Sequence, residues 1–353
     1  MKILIMAGGT GGHVFPALAV ADELRARGHD VVWMGAPHSF ESKRVPPHGI
    51  PMEFIRVSGL RGKGIKKLLS APILLWRALR DALKALKRQR PQVVLGMGGF
   101  AAGPGGVAAW LTRRPLVIHE QNAAAGFTNF LLARIAKRVL EAFPRTFSKA
   151  LTVGNPVRAS FVSLPAPRER LQRETRRVLV VGGSQGARAF NERMPLALKL
   201  IPESRRPEVF HQAGRTLDVA QESYAKSGMQ ANVRQFIDDM PSAYAWADLV
   251  LCRAGASTIA ELAAAGCASI LVPYPHAVDD HQTSNAQYLV EAGAAMLIPE
   301  SELTPEKLAS TLDALLSDRA KLISMAEAAR TRAWPNATQS IVGEVLAAAG
   351  VAA

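Results

Sequence analysis

The chain has 353 residues, 48% of them hydrophobic and 20% charged, with a net charge of +14. That length allows about two globular domains, and the composition is ordinary for a soluble globular protein, not a fibrous or disulfide-framework one. No apolar run reaches the 18 or so residues that a membrane-spanning helix needs, and Met1-Lys2 leads straight into a strand, so neither a spanning helix nor a signal peptide is predicted. The charge is uneven: residues 1–160 hold 24 Lys and Arg against 8 Asp and Glu, whereas residues 161–353 hold 19 against 21. A cationic first half implies a polyanionic partner there: nucleic acid, an anionic membrane or a phosphorylated substrate. The two cysteines, Cys252 and Cys267, stand in apolar company without metal-ligand spacing, which predicts reduced core thiols.

The first predicted strand, Ile3–Met6, runs into the turn Gly8-Gly9-Thr10-Gly11-Gly12-His13 and then a helix, Ala17–Arg27. A dinucleotide fingerprint from Gly9 would need a glycine where Val14 stands and an acid roughly 20 residues on. The next strand, Val31–Met34, ends instead in Gly35-Ala36-Pro37, and no lysine closes the turn as in a P-loop. Glycines at a helix N-terminus still suit an anion, because backbone N–H groups can approach it closely.

Ser58 to Lys67 reads as a flexible basic loop, followed by a helix over Pro72–Arg88. Leu75, Leu79, Leu83 and Leu86 form its predicted buried stripe. Arg77, Arg80, Lys84, Lys87 and Arg88 lie opposite, with Ile73 among them and Trp76 at the border. Apolar residues beside a cationic face suit an interfacial segment on anionic lipid, or else an ordinary amphipathic helix whose Ile73 and Trp76 are covered.

A strand at Val93–Leu95 precedes a second glycine cluster, Gly96 to Gly106, in which Pro104 is placed to start a helix. Gly98 and Gly99 join the first turn as candidate donors to a diphosphate. The strand Leu116–His119 ends in His119-Glu120-Gln121-Asn122, polar side chains that are costly at a strand terminus unless hydrogen-bonded. His13 reads as a general base at neutral pH or as a side chain that caps or packs the loop.

A further strand, Val178–Val181, is followed by Gly182-Gly183-Ser184-Gln185-Gly186, which repeats the first turn half a chain later. Strands at Glu208–His211, Leu249–Cys252 and Ser269–Val272, with helices between them, complete the alternation. It predicts an α/β fold of two Rossmann-like, parallel-sheet domains. The boundary falls near Gly154-Asn155-Pro156-Val157-Arg158: residues 1–157, joined by a C-terminal helix in 337–353, and residues 158–336. Ligands of such sheets lie beyond the strands' carboxyl ends, so two facing edges would make a cleft. Thr258-x-x-Glu261, before the predicted helix Thr258–Ala265, is either a capping box or a phosphate-binding helix start with Glu261 on ribose hydroxyls. Asp279 to Asn285 is dense in groups that read sugar hydroxyls, and reads equally as a solvated turn.

In this order the motifs resemble the MurG family of bacterial peptidoglycan glycosyltransferases, over nearly the whole chain. The resemblance implies a GT-B-type fold and a metal-independent inverting transfer without a cofactor, which needs a base for the acceptor hydroxyl: His13 is the first candidate and Glu120 the second. In that family GlcNAc passes from UDP-GlcNAc to the MurNAc C4 hydroxyl of undecaprenyl-pyrophosphoryl-MurNAc-pentapeptide, in peptidoglycan synthesis. It implies peripheral attachment to the cytoplasmic face of the inner membrane, with anionic lipid and cell-wall synthesis proteins, not nucleic acid, as partners. The N-terminal domain would take the acceptor and the membrane, and the C-terminal domain UDP-GlcNAc. By resemblance, Ser184, Ala256, Ser257 and Thr258 lie at the diphosphate, Ile237 at the uracil and Glu261 on the ribose. Gln282 and Asn122 would touch the GlcNAc, Thr10, Gly11 and Gly12 would border the donor, and Arg158 would lie by the hinge. Ile73, Trp76, Arg80, Lys84 and Lys87 are the expected membrane contacts. The competing readings are a UDP-GlcNAc 2-epimerase, another lipid glycosyltransferase, or a non-catalytic nucleotide-sugar-binding or membrane-recruiting subunit.

Overall fold

The computed structural model describes residues 1–57, 64–173, 175–277 and 280–351, with side chains other than those of 64–70. The basic stretch 58–63, Val278, and Asp279 at the start of the expected polar segment lie outside the described residues. The chain divides into two units, one of residues 1–157 with 336–353 and one of residues 158–335.

The first unit holds a seven-stranded sheet in the order β3-β2-β1-β4-β5-β6-β7. Its strands are β1 (Lys2–Met6), β2 (Asp30–Gly35), β3 (Met52–Phe54), β4 (Val93–Gly96), β5 (Leu116–Glu120), β6 (Arg138–Glu141) and β7 (Leu151–Thr152). Every pairing is parallel. Such a sheet is covered on both faces, which explains why β1 and β4 are continuous apolar runs and not alternating ones. Ile3, Leu4, Ile5 and Met6 are fully buried. The helix Gly11–Ala26 lays Val14, Ala17, Leu18, Val20, Ala21 and Leu24 on one face of the sheet. The C-terminal helix, Ala337–Ala348, adds Ile341, Val342, Val345 and Leu346 to that same cluster. Each such side chain contributes roughly 1.5–3 kcal/mol by leaving water, enough to hold the chain's end on its first domain.

The second unit repeats the plan with six strands in the order β10-β9-β8-β11-β12-β13. These are β8 (Arg177–Val181), β9 (Glu208–Gln212), β10 (Asn232–Arg234), β11 (Leu249–Cys252), β12 (Ser269–Leu271) and β13 (Ala295–Leu297), again all parallel. In both sheets the strand order reverses beside the first strand, between β1 and β4 and between β8 and β11. That reversal is where an open α/β sheet leaves a crevice for a ligand. Both cysteines are buried and free.

Several element boundaries move. The first helix begins at Gly11, not Ala17, because the carbonyl of Thr10, in extended conformation, already accepts from His13 N and Val14 N. The cationic helix runs over Gly64–Gln89 with Pro72 inside it, so the expected loop over 64–67 is helical. Its buried stripe is also rotated: Ala78, Ala82, Ala85 and Leu86 are buried, Leu79 and Leu83 flank them, and Leu75 is 48% exposed. Three alanines let the helix approach the Ala102–Leu111 helix closely, and a leucine one turn before them reaches no core.

Candidate functional site

In the first unit the two glycine turns touch. Gly99 sits at φ +88°, and a β-carbon there would fall 2.4 Å from the Gly8 carbonyl oxygen. A β-carbon on Gly98 would lie 2.4 Å from Cδ2 and 2.7 Å from Nε2 of His13, so the imidazole edge rests on the Gly98 backbone. His13 sits in the first turn of the Gly11–Ala26 helix, its Nδ1 3.3 Å from Thr10 Oγ1. Thr10 therefore spends its hydroxyl on the imidazole and makes no side-chain cap to the helix. Thr10, Gly11, Gly12, His13, Gly98 and Gly99 thus meet at the sheet reversal between β1 and β4.

The polar run ending β5 is a scaffold beside them. His119 is fully buried and donates from Nε2 to the Gly154 carbonyl at 2.9 Å, and burial lowers its pKa. Gln121 Nε2 donates to the Met97 carbonyl at 3.3 Å, and Asn155 Nδ2 to the Gln121 carbonyl at 2.9 Å. Glu120, expected as the second candidate base, is only 4% exposed. One carboxylate oxygen accepts from the Asn122 backbone at 3.0 Å and its Nδ2 at 3.3 Å. The other accepts from Gly126 N at 3.1 Å and Asn129 Nδ2 at 2.9 Å. A carboxylate with both oxygens engaged holds the 120–129 turn, and with it Asn122, better than it could receive a substrate proton.

The second unit gathers its expected residues at the carboxyl ends of neighbouring strands. Ser184 is exposed in the turn after β8. That turn abuts Gly214, whose β-carbon would fall 2.3 Å from Gly186 N. Gly214 N donates to the Gln235 carbonyl at 3.1 Å, which fixes the segment leading to buried Ile237. Ala256, Ser257 and Thr258 form the first turn of the helix Ala256–Ala265, whose N-cap is Gly255 without a side-chain cap. The capping-box alternative is overturned: Thr258 lies inside the helix, so its hydroxyl does not occupy the capping position. Glycine leaves that helix start open to an anion.

Glu261 follows one turn on. The Tyr244 hydroxyl donates to its Oε2 at 3.4 Å, and burial pushes the carboxyl up to about 7, against the pull of Arg158. Arg158 lies 5.1 Å over the Phe161 ring, which packs edge-on against Tyr244 at 5.4 Å. Arg158, Phe161, Tyr244 and Glu261 are therefore one cluster. The Gln282 Oε1 accepts from Ala254 N at 3.2 Å and Tyr274 N at 2.9 Å, tying the loops after β11 and β12 together. Arg253 braces the same loops through the carbonyls of Val272 and Pro273, each at 3.2 Å, and an ion pair with Glu300.

In the first unit, Ile73 and Trp76 are 56% and 59% exposed, with Arg80 stacked 4.9 Å over the Trp76 ring. Lys84 and Lys87 are exposed along the same helix. Trp110 and Leu111 on the adjoining Ala102–Leu111 helix, and Phe127, Phe130 and Leu131 on the next, Phe127–Leu132, are exposed too. No described helix is long and apolar enough to cross a membrane.

Two residue sets escaped sequence reasoning. Glu41, buried against the first glycine turn, follows the second strand at a distance no fingerprint specifies. Asn191 Nδ2 reaches the Thr216 carbonyl at 2.9 Å and its hydroxyl at 2.7 Å, bracing the Gly186–Gly214 contact. It lies in a helix whose pattern gives no hint of it.

Comparison with known proteins matches residues 3–141 to the glycosyltransferase family 28 N-terminal domain and residues 177–341 to the family 28 C-terminal domain. A protein of Marinobacter nauticus is 54% identical over 99% of this chain and 98% of its own length. One of Neisseria meningitidis serogroup C is 52% identical over 98% of each. Both are described as UDP-N-acetylglucosamine–N-acetylmuramyl-(pentapeptide) pyrophosphoryl-undecaprenol N-acetylglucosamine transferases. The crystal structure of Acinetobacter baumannii MurG superposes with a TM-score of 0.86 at 42% identity, covering 98% of this chain and 99% of that one. The calicheamicin glycosyltransferase CalG4 shares the fold, with a TM-score of 0.70 at 19% identity over 99% of this chain and 98% of that one.

Proposed function

This chain belongs to the MurG family of glycosyltransferases, its two halves matching family 28, and on that premise we propose that it moves GlcNAc from UDP-GlcNAc to undecaprenyl-pyrophosphoryl-MurNAc-pentapeptide. The observation that carries the reading is the glycine turn after the first strand of each sheet, one beside His13 and the other after β8, whose neighbour β11 runs into an uncapped helix start and Glu261. The second unit binds the donor. The Ser184 turn and the amides of Ala256, Ser257 and Thr258 face the diphosphate, Ile237 the uracil, and Glu261 the ribose hydroxyls. Gln282, whose carbonyl end is already engaged, offers its amide N–H groups to the GlcNAc.

In the transfer, the MurNAc C4 oxygen attacks the anomeric carbon as the bond to the UDP oxygen breaks, inverting the centre. His13 takes the hydroxyl proton. The charge released onto UDP is met by helix-end amides already aimed at it, which costs no reorganisation during the step. Incubation with labelled UDP-GlcNAc and a short-chain lipid acceptor tests this: the expected product is the disaccharide lipid, with UDP-GalNAc a poor donor. No transfer by the purified chain, or UDP-ManNAc formed without acceptor, would overturn it.

The same reading puts the enzyme peripherally on the cytoplasmic face of the membrane. The exposed Ile73 and Trp76, the stacked Arg80, and Lys84 and Lys87 support that attachment, with Leu75, Trp110 and Leu111 extending the apolar surface. Basic residues near an anionic bilayer contribute about 1 kcal/mol each. Reversing the charges of Arg80, Lys84 and Lys87 should therefore weaken co-sedimentation with anionic vesicles more than tenfold at low salt, and far less at high salt. Unchanged sedimentation would return this helix to an ordinary solvated surface.

A further inference from the structure

Glu41 is 2% exposed, and no ion pair to it is found among the described residues. Burying a carboxylate is costly unless its oxygens are hydrogen-bonded. Here one oxygen accepts from Gly9 N and the other from Ala36 N, each at 3.0 Å. The side chain also fills the space that β-carbons would take on two glycines. One on Gly8 would fall 2.5 Å from Glu41 Oε1, and one on Gly35 2.7 Å from its Cγ. Glu41 thus lies between the turn after β1 and the turn after β2, and the glycines at 8 and 35 exist to admit it.

Fixing Gly8 and Gly9 has a consequence across the sheet. The Gly8 backbone is also the surface on which Gly99 rests, and Gly98 is the surface on which His13 rests. The Gly9 N–H is turned inward to Glu41, so it is not among the donors a bound anion can use. The Trp33 indole N–H holds the preceding carbonyl, of Ala7, at 2.8 Å. The turn is therefore pinned from beneath at Ala7, Gly8 and Gly9, and it runs directly into the first helical turn, which carries His13.

We propose that Glu41 is a positioning residue for the transfer reaction: it locks the Gly8–Gly12 turn in the one shape that seats the His13 imidazole against Gly98. The inference rests on the glycosyltransferase reading above and names a residue that does not touch substrate. The Glu41→Gln variant keeps the size of the side chain but sets an amide N–H against one of the two backbone N–H donors. Glu41→Asp keeps the charge, draws it back by one methylene, and serves in the same measurements if Glu41→Gln does not fold.

The test is a double-mutant cycle on initial transfer rates with UDP-GlcNAc and a short-chain lipid acceptor, each variant alone and combined with His13→Ala. The expected result is a fall in kcat of at least tenfold in otherwise wild-type enzyme, with the KM for UDP-GlcNAc within twofold. In the His13→Ala background the same change should cost less than twofold, because the group it positions is gone. A merely structural role would lower both backgrounds by the same factor. That outcome, an unchanged kcat, or a His13→Ala enzyme of normal turnover would overturn the proposal. If the wild-type chain itself transfers no GlcNAc, it is the functional reading that has failed.

Discussion

His13→Ala should lower turnover by about 10²-fold, the usual contribution of a general base, while the affinity for UDP-GlcNAc stays near wild type. The split follows from where the residue sits. His13 belongs to the N-terminal unit, in contact with the glycine turns of β1 and β4. The groups read as binding uridine, diphosphate and ribose belong to the other unit. With Nδ1 3.3 Å from Thr10 Oγ1, Nε2 is the ring nitrogen proposed to take the proton of the acceptor hydroxyl. Glu120 is the poorer candidate because four donors already occupy its oxygens. Turnover by single-turnover kinetics and donor affinity by calorimetry check the two halves of this expectation. Near-normal turnover would remove His13 from the role.

How far the sequence led can be judged residue by residue. The repeated strand–glycine-turn–helix unit announced two parallel sheets, because buried parallel strands are continuous apolar runs and each needs a helical crossover. The short strands β3, β7, β10 and β13 at the sheet edges, and the four-residue β6 inside the first sheet, carry too few residues for a periodic signal. The glycines were legible as turns, but their reason was not: Gly8 and Gly35 make room for a carboxylate, and Gly99 for the Gly8 backbone. A residue's own neighbours in sequence say nothing about such a contact.

The acid after the second strand shows the same limit. Dinucleotide spacing would place a ribose-binding side chain at the strand's end, where Gly35-Ala36-Pro37 stands. The acid is Glu41, in the following helix, and it turns back onto the glycine turn itself. The cationic helix shows the complementary case. Period alone chose leucines for the buried stripe, whereas close helix packing selected alanines and left Leu75 outside with Ile73 and Trp76. The exposed Leu75 widens the apolar surface that faces water, which supports the membrane reading.

Glu261 gives the second large effect, and it separates binding from stability. Glu261→Ala should weaken UDP-GlcNAc by roughly 10–100-fold, the loss of hydrogen bonds to a charged group. Its stability change runs the other way from that of a helix cap. Burial raises the carboxyl from 4.5 to about 7, so the folded protein binds this proton more tightly than the unfolded chain does. Stability from this group is therefore full below the unfolded value, declines as pH rises from about 4.5 to about 7, and is level above that. Glu261→Gln should then melt no lower than wild type at pH 8 while losing donor affinity, whereas loss of a cap would lower the melting temperature. Ribose hydroxyls donate best to the ionised carboxylate, so wild-type affinity should rise with pH through about 7 and become flat in Glu261→Gln. The diphosphate of UDP-GlcNAc is esterified at both ends and lacks the monoester ionisation near 6, so it does not contribute to that slope. Calorimetry in buffers of different ionisation enthalpy at pH 6.5 should register proton release on binding by wild type and none by Glu261→Gln. A pH-independent wild-type affinity would show that this carboxyl does not meet the donor.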